Sequence, residues 1–298
     1  MPRVTVIIAT YNWSSVLPYS IGSVIRQRFT DWELLVVGDA CTDDSAAVVA
    51  QVKREHGLDD ERIRWFNLPT NAGSQYAPNN AGIREARGEL IAYLGHDDLW
   101  LPHHLEVLVA ALDAGADVPY SAVRWIAPEG GIAPFPPDAC ISPVSVLHRR
   151  ADVLAIGGWR DYRTITAPPD GDLWERLRAA GLHFRFVPRL TVIKLPATTR
   201  RNVYKLRPSH EQAAWAARIA QEPDLETSEL LVMLGEADRA NRKPPTNIVV
   251  ELRRLVFHEL PKRILYKVER LLRYRRAPSG PAGKGEQVSD WRRFKGLE

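Results

Sequence analysis

The segment Glu89–Pro102 reads ELIAYLGHDDLWLP and is the most informative part of the sequence for the fold. Its first half is apolar enough for a buried parallel strand, and it runs directly into two adjacent carboxylates, Asp97 and Asp98. Pro102 follows and can open a helix. Because open α/β sheets bind ligands beyond the carboxyl ends of their strands, a ligand is expected beside these aspartates. Two unpaired carboxylates are costly to bury, so they either face water or hold a cation.

Length and composition narrow the class of protein. The chain has 298 residues, enough for one large α/β domain or for one domain with an appendage. The two cysteines, Cys41 and Cys140, form neither a disulfide framework nor a metal cluster, which favours a reducing compartment. Met1–Val4 lacks a signal-peptide pattern, and no apolar run reaches the ~18 residues of a spanning helix. We therefore expect a cytoplasmic protein, either free or peripheral on the inner face of the membrane.

The positive charge is concentrated in residues 248–276. This segment carries nine Lys or Arg and three Glu, a net charge of +6, whereas the whole chain carries +4. In a helical projection its apolar residues share a face flanked by the basic ones. Such a helix suits an anionic membrane surface, or its apolar face docks on the main domain or on a second subunit in a homodimer. No nucleic acid is expected as a partner, because no recognition helix or aromatic-interleaved basic sheet is evident.

Strand and helix patterns alternate along residues 1–200, which predicts a Rossmann-like, doubly wound, mostly parallel α/β sheet. The predicted strands are Val4–Thr10, Trp32–Gly38, Ile63–Phe66, Glu89–Leu94, Asp117–Ile126 and Ile141–Arg149. Residues 201–276 are predicted as a helical appendage that contains the basic segment. Residues 277–298 are rich in Gly, Pro and charge and are predicted to be disordered.

Several familiar site motifs are absent from the sequence. No GxGxxG or GxxxxGK[ST] loop follows a strand, which excludes the usual dinucleotide and P-loop phosphate cradles. The sequence also lacks HExxH, a cysteine pair for zinc and a serine elbow. Carboxylates at strand ends remain, and these suit Mg²⁺ or Mn²⁺ together with a phosphorylated ligand.

Five motifs occur in order along residues 4–201. They are Thr10–Asn12, Glu33–Ser45, Asn71–Leu94, Asp97–Pro102 and Asp170–Trp174. In this order they resemble the family 2 glycosyltransferases of the GT-A fold. The resemblance implies a GT-A-like catalytic domain over residues 1–200 and transfer of a hexosyl-type sugar, with inversion, from a nucleotide diphosphate donor. It also implies a saccharide or lipid-linked acceptor in bacterial polysaccharide or glycolipid synthesis.

The resemblance assigns the acidic pair to a divalent cation, Mn²⁺ or Mg²⁺. Asp97 matches the family's metal-binding aspartate, which also contacts the donor, and Asp98 is its usual neighbour. A cation is needed because the leaving nucleoside diphosphate carries new negative charge. Gly95 stands where relatives commonly begin this motif with an aspartate, so one ligand is expected to be missing. His96 is interpreted as a solvated loop histidine, with a nitrogen ligand of the cation as the alternative.

Two strand exits and one loop-and-helix segment match the donor site of the family. Tyr11, after Thr10, matches the aromatic that stacks near the nucleotide base. Asp39 matches the aspartate that accepts a hydrogen bond from the base, and the N3–H donor of uracil favours a UDP-sugar. Asn80 matches the loop-and-helix pattern beneath the ribose. Gly38 replaces the first aspartate of the family's pair, so this turn is built differently.

Asp170 matches the catalytic base, which must be a carboxylate opposite the leaving group to take the acceptor's proton. Asp172 and Glu175 resemble a capping box, which predicts that the helix starts after Asp170 and leaves that side chain free to project. Trp159 resembles the aromatic under the acceptor site, with core packing as the alternative. Arg200 either reaches the diphosphate or belongs to a solvated basic loop.

Two other classes of function stay open. The glycines at positions 38 and 95 remove carboxylates and so motivate a non-catalytic nucleotide-sugar binder or scaffold on the same fold. A nucleotidyltransferase is the third reading, but it needs a glycine-rich, basic loop after the first strand. Tyr11–Trp13 stands there instead.

Overall fold

The computed structural model describes residues 1–128, 141–197 and 200–241. Strands and helices alternate through most of this length, as the sequence predicts. The strands are β1 (Val4–Thr10), β2 (Trp32–Gly38), β3 (Ile63–Asn67), β4 (Leu90–Gly95), β5 (Leu99–Trp100), β6 (Val118–Trp125), β7 (Leu147–Arg149) and β8 (Phe184–Lys194). The helices are α1 (Leu17–Ile25), α2 (Ser45–Glu55), α3 (Tyr76–Glu85), α4 (His104–Asp113), α5 (Arg150–Ala155), α6 (Pro169–Ala179), α7 (Val203–Leu206), α8 (His210–Gln221) and α9 (Leu225–Asn241).

The main sheet has five strands in the order β3-β2-β1-β4-β7. Its first four strands are parallel, and the edge strand β7 is antiparallel to β4. The central strands are almost uniformly apolar because helices cover both of their faces. The predicted doubly wound, mostly parallel α/β fold is therefore confirmed.

Alternating side chains of the central strands enter two separate cores. On one face, Val6, Ile8 and Val36 pack with α1, α2 and α4. On the other face, Ile7 and Val37 pack with α3 and α6. This two-sided packing fixes the sheet, so that the carboxyl ends of β1, β2 and β4 share one rigid edge.

A second sheet has three strands in the order β5-β8-β6. Strand β8 was not predicted from the sequence, because Pro188 and two arginines interrupt its apolar pattern. The strand tolerates this interruption because its register against β6 shifts after Val187. As a result, Lys194 ends a strand and does not belong to a loop.

The predicted strand over Ile141–Arg149 is wrong for most of its length. Only Leu147–Arg149 forms β7, and a 3-10 turn occupies Pro143–Ser145. Pro143 has no backbone N–H to give to a strand ladder, whereas it suits the first position of a helical turn.

The last described helices pack against the second sheet. Ile219 of α8 and Leu225 of α9 join a cluster with Leu99, Leu101 and Ile193. The predicted appendage beyond residue 241, its basic segment 248–276 and the tail 277–298 lie outside the described residues. In the part of the chain that the structure describes, no helix is long and apolar enough to cross a membrane.

Candidate active site

The carboxyl ends of three neighbouring strands form the edge of the candidate site. Thr10 pairs with Gly38 across β1 and β2, and Ala9 pairs with Gly95 across β1 and β4. The segments that follow these strands therefore start side by side, and they carry Tyr11, Asp39 and the acidic turn.

The exit from β1 is a tight turn that holds the loop after β2. Asn12 has a positive φ of 44°, a left-handed conformation that asparagine tolerates better than most residues. Its side-chain oxygen accepts hydrogen bonds from the backbone N–H of Thr42 at 2.7 Å and of Asp43 at 3.3 Å. Tyr11, half-buried beside it, is thereby held at the edge of the sheet.

Asp39 is a buried carboxylate that clamps a second loop. Its two oxygens accept hydrogen bonds from the backbone N–H of Ala72 at 2.8 Å and of Gly73 at 3.1 Å. Asn71 donates to the Asp39 carbonyl at 3.0 Å. The predicted contact of Asp39 with a nucleotide base stays a prediction. The hydrogen bonds from Ala72 and Gly73 fix the orientation of the Asp39 carboxylate, and so the position at which it would contact a base.

Asn67 explains the glycine before Asp39. A Cβ atom on Gly38 would lie 2.5 Å from the Asn67 Oδ1 atom, so a side chain does not fit there. Asn67 uses the space to bind the backbone of Cys41, accepting from its N–H at 2.8 Å and donating to its carbonyl at 2.9 Å. The family's first aspartate is thus replaced by an asparagine from β3 that shapes the same turn.

The acidic turn after β4 is buried and carries two carboxylates. Asp97 is 9% exposed, and Asp98 is 1% exposed. The carbonyl of Asp97 accepts a hydrogen bond from Gln212 of α8 at 3.3 Å. The Asp98 carboxylate accepts from the Lys194 ammonium at 2.8 Å and from the Leu195 N–H at 2.9 Å. The end of β8 therefore supplies a partner to each oxygen of Asp98.

The charges in this turn depend on one another. Burial raises the pKa of Asp98, the Lys194 ammonium opposes that rise, and the Asp97 carboxylate adds to it. Burial alone lowers the pKa of Lys194, but the carboxylates of Asp98, Asp97 and Asp170 outweigh burial and raise it. The lysine is therefore charged, and three carboxylates of the site lie within electrostatic reach of it.

His96 is buried and hydrogen-bonded, which corrects its interpretation as a solvated loop residue. Its Nδ1 atom lies 3.0 Å from the Thr10 hydroxyl, and its Nε2 atom lies 3.3 Å from the Tyr204 hydroxyl. The rings of Trp13 and Tyr204 meet the imidazole edge to face, with centroids 5.3 and 5.7 Å away. This contact joins the short helix α7 to the exits of β1 and β4, which the sequence analysis did not anticipate.

Asp170 lies inside a helix, where the sequence predicted a position just before one. Pro169 begins α6 because its fixed φ suits the first helical position, so Asp170 falls in the first turn. The expected capping box is absent. Asp172 instead binds Arg176 one turn later at 2.8 Å. Asp170 is half-buried, and its charge reaches Lys194.

Two other residues predicted at the donor site, Asn80 and Arg200, make hydrogen bonds within the protein. Asn80 exchanges two hydrogen bonds with the backbone of Trp159. Arg200 is buried and binds Glu211 through two hydrogen bonds of 2.8 and 2.6 Å, so it is not part of a solvated loop. The role of Asn80 at the ribose stays a prediction.

The carboxylates of the acidic turn suit a cation that is held jointly by the protein and by a phosphorylated ligand. Within residues 1–128, 141–197 and 200–241, no group of three or more His, Cys, Asp or Glu side chains could hold a metal ion. Mg²⁺, however, is commonly held by one or two carboxylates while substrate phosphates complete its shell. The acidic turn suits this second arrangement, with Asp97 as a carboxylate ligand.

The architecture is that of GT-A-type glycosyltransferases. The mannosyltransferase PcManGT from Pyrobaculum calidifontis, solved with GDP-Man and Mn²⁺, matches with a TM-score of 0.57 and 18% identity, over 89% of this chain and 83% of that one. Residues 1-349 of TarS from Staphylococcus aureus, solved with UDP-GlcNAc, match with a TM-score of 0.56 and 18% identity, over 76% and 69% of the two chains. At these identities the likeness establishes the fold.

Sequence comparison points the same way. Residues 5–148, just under half of the chain, match the model of glycosyl transferase family 2. A Campylobacter jejuni relative, GalNAc(5)-diNAcBac-PP-undecaprenol beta-1,3-glucosyltransferase, is 33% identical over 118 residues, which are 39% of this chain and 36% of that protein. The chain spans about a third of the length of such curated relatives.

Proposed function

We propose that this protein is an inverting glycosyltransferase that moves a hexosyl-type sugar from a nucleotide diphosphate donor to an acceptor hydroxyl. The observation that carries the proposal is the charged cluster around Lys194. The lysine contacts Asp98 at 2.8 Å and senses the charges of Asp97 and Asp170. This electrostatic contact supports the assignment of carboxylates from the end of β4 and from the start of α6 to one site.

The donor is proposed to be a UDP-sugar that lies across the exits of β1, β2 and β4. Tyr11 would stack near the base, and Thr10 would line the strand exit. Asp39 would accept the uracil N3–H, and the hydrogen bonds from Ala72 and Gly73 support this by fixing its orientation. A carboxylate whose direction is already set loses little entropy when the base binds.

Asp97 is proposed to contact the donor diphosphate through Mn²⁺ or Mg²⁺. When bound, the cation would neutralise the charge that develops on the leaving diphosphate. Asp98 was also predicted as a ligand from the sequence, but its carboxylate already contacts the Lys194 ammonium at 2.8 Å.

Asp170 is proposed to be the catalytic base. It would take the proton from the acceptor hydroxyl while that oxygen attacks the anomeric carbon. The bond from this carbon to the diphosphate would break, and its electron pair would leave with the nucleoside diphosphate. Attack opposite the leaving group inverts the anomeric configuration. The first turn of α6 supports the role because it holds Asp170 on a rigid element.

The proposed acceptor is a saccharide or a lipid-linked sugar in bacterial polysaccharide or glycolipid synthesis. The printed name of the Campylobacter relative, which refers to an undecaprenol-linked acceptor, supports this class. A cytoplasmic enzyme could reach such an acceptor through residues 248–276 as a peripheral membrane contact. The same segment could instead dock on a second subunit.

Titration calorimetry with UDP, with and without Mn²⁺, tests the donor site. We expect UDP to bind more tightly with Mn²⁺. We also expect Asp39→Asn to weaken UDP binding, because the amide would present an N–H group to the Ala72 or Gly73 N–H and lose a clamp bond. Asp60→Asn, at an exposed site on the protein surface, serves as the matched control. Equal binding of UDP to both variants would remove Asp39 from the donor site.

A non-catalytic nucleotide-sugar binder is the second candidate function. It is favoured by Gly38 and Gly95, where the family carries carboxylates and where an added Cβ atom would crowd Asn67 and Asp98, respectively. The two candidates differ in turnover: a transferase releases UDP from a UDP-sugar, whereas a binder holds the donor without cleaving it. Incubating the protein with a panel of nucleotide sugars and measuring UDP release separates them.

A further inference from the structure

The second aspartate of the acidic turn is neutralised by a lysine from the other sheet. The Lys194 side chain is 20% exposed, and its ammonium lies 2.8 Å from the Asp98 carboxylate. The Trp125 ring lies 5.5 Å from the same ammonium, within the range of a cation–π contact. Lys194 is thus held on two sides, and its charge is fixed next to the turn.

Gly95 makes this arrangement sterically possible. A Cβ atom there would lie 2.5 Å from one Asp98 oxygen and 3.1 Å from an Asp97 oxygen. The loss of the family's first carboxylate and the inward position of Asp98 therefore belong together. The turn therefore lacks a carboxylate at position 95 and holds the carboxylate of Asp98 in an ion pair with Lys194.

This exchange changes the charge that a cation meets. Asp97 and Asp98 alone would give the buried turn a charge of about −2, which attracts a divalent ion strongly even without a substrate. With Lys194 beside them, the charge of the three groups is about −1. A turn with a charge of about −1 attracts a divalent cation less than a turn with a charge of about −2. A bound diphosphate, which is itself negative, then contributes a larger share of the attraction.

We propose that Lys194 is a positioning residue that keeps Asp98 out of the cation's ligand set, so that Mn²⁺ binds together with the donor diphosphate and not to the protein alone. This inference rests on the proposed function, since it concerns the cation of that same site. On this proposal, the affinity for the metal depends on the net charge of Asp97, Asp98 and Lys194 and not on the number of carboxylates.

The test is a charge-swap cycle, with Mn²⁺ binding followed by electron paramagnetic resonance at pH 8. Lys194→Met removes the positive charge and should tighten the binding of Mn²⁺ alone by about tenfold, as Coulomb's law gives for one charge removed near a divalent ion in hydrated surroundings. Asp98→Asn should weaken it by a similar factor. The double variant restores the charge of about −1 and should bind within about threefold of the wild type.

The double variant separates a charge effect from a direct ligand. If Asp98 binds the metal, both Asp98→Asn and the double variant lose Mn²⁺ in the presence of UDP, and the proposal is overturned. It is also overturned if Lys194→Met is folded and binds Mn²⁺ no more tightly than the wild type. Replacing both members of a buried pair is usually tolerated better than replacing one. If the single lysine variant unfolds, the double variant therefore still decides the question.

Two controls complete the design. Lys53→Met removes a lysine paired with Asp60 near the end of α2 and should leave Mn²⁺ affinity unchanged. Adding UDP to the wild type should tighten Mn²⁺ binding. A wild type that binds no Mn²⁺ even with UDP overturns the metal in the proposed function as well as this inference. Normal joint binding together with a failed lysine result overturns the inference alone.

Discussion

Asn80 and Trp159 exchange two hydrogen bonds between elements that are far apart in the chain. The Asn80 amide donates to the Trp159 carbonyl at 2.8 Å, and its oxygen accepts from the Trp159 N–H at 2.9 Å. The indole itself is buried against Tyr93 and Trp174. The pair therefore holds the turn before Trp159 on helix α3, beside the site proposed for the acceptor.

We predict that Asn80→Ala lowers the free energy of unfolding by about 2 kcal/mol, because two backbone groups of Trp159 lose their partner. Urea unfolding followed by tryptophan fluorescence measures this loss. Gln51→Ala, which removes an exposed amide from α2, should change stability by less than about 0.5 kcal/mol. Equal effects of the two substitutions would show that the two hydrogen bonds between Asn80 and Trp159 contribute no stability.

The buried carboxylate of Glu33 gives a prediction about pH. Glu33 is 1% exposed and accepts hydrogen bonds from Thr5, Arg64 and Arg87. Burial alone raises the pKa of Glu33, but these donors outweigh burial and lower it below the ordinary glutamate value. The stabilisation is therefore present at neutral pH and is lost as the pH falls below about 4.3 through the folded-state value.

Glu33→Gln is expected to cost about 3 kcal/mol at pH 7, since it leaves two arginines beside a neutral, partly mismatched side chain. The gap between wild type and variant should shrink in denaturant titrations at pH values below about 4. Glu89→Gln, at an exposed surface pair with Arg3, should have little effect at either pH. A gap that is constant with pH would mean that ionisation of Glu33 is irrelevant to stability.

Tyr204 links helix α7 to the donor edge through His96 and Trp13. Burial raises the pKa of the Tyr204 phenol, and the charges of Asp97 and Asp98 add to this, so the hydroxyl stays neutral. We predict that Tyr204→Ala weakens UDP binding by about tenfold, because Trp13 and His96 lose the ring that packs against them, a loss of about 1.4 kcal/mol.

Tyr204→Phe keeps the ring and should weaken UDP binding by less than about threefold, the effect of one long hydrogen bond. Leu206→Ala is the matched control on the same helix, since Leu206 is 75% exposed. Calorimetry with UDP compares the three variants. If Tyr204→Ala and Leu206→Ala bind UDP alike, α7 is not coupled to the donor edge.

Local patterns were sufficient to predict the central strands. The bounds of β1 and β2 follow from apolar runs and turn residues that lie next to each other in the sequence. The sheet edge that carries the acidic turn follows from the same runs, because parallel strands end together.

Contacts between distant segments could not be predicted in this way. Lys194 and Asp98 are 96 residues apart, and β8, which brings them together, has an interrupted pattern. Asp170 was placed outside its helix because a plausible capping box competed with Pro169 for the helix start, and the proline determined it. Side-chain pairing across two sheets depends on packing that no single segment encodes.

Transfer by the Asp170→Asn variant is the decisive measurement for the proposed mechanism. UDP release from a UDP-sugar in the presence of acceptor should fall by about 10²–10⁴, the usual contribution of a general base, while calorimetry gives an unchanged affinity for UDP with Mn²⁺. Release at near the wild-type rate by a variant that still binds UDP would show that Asp170 is not the catalytic base.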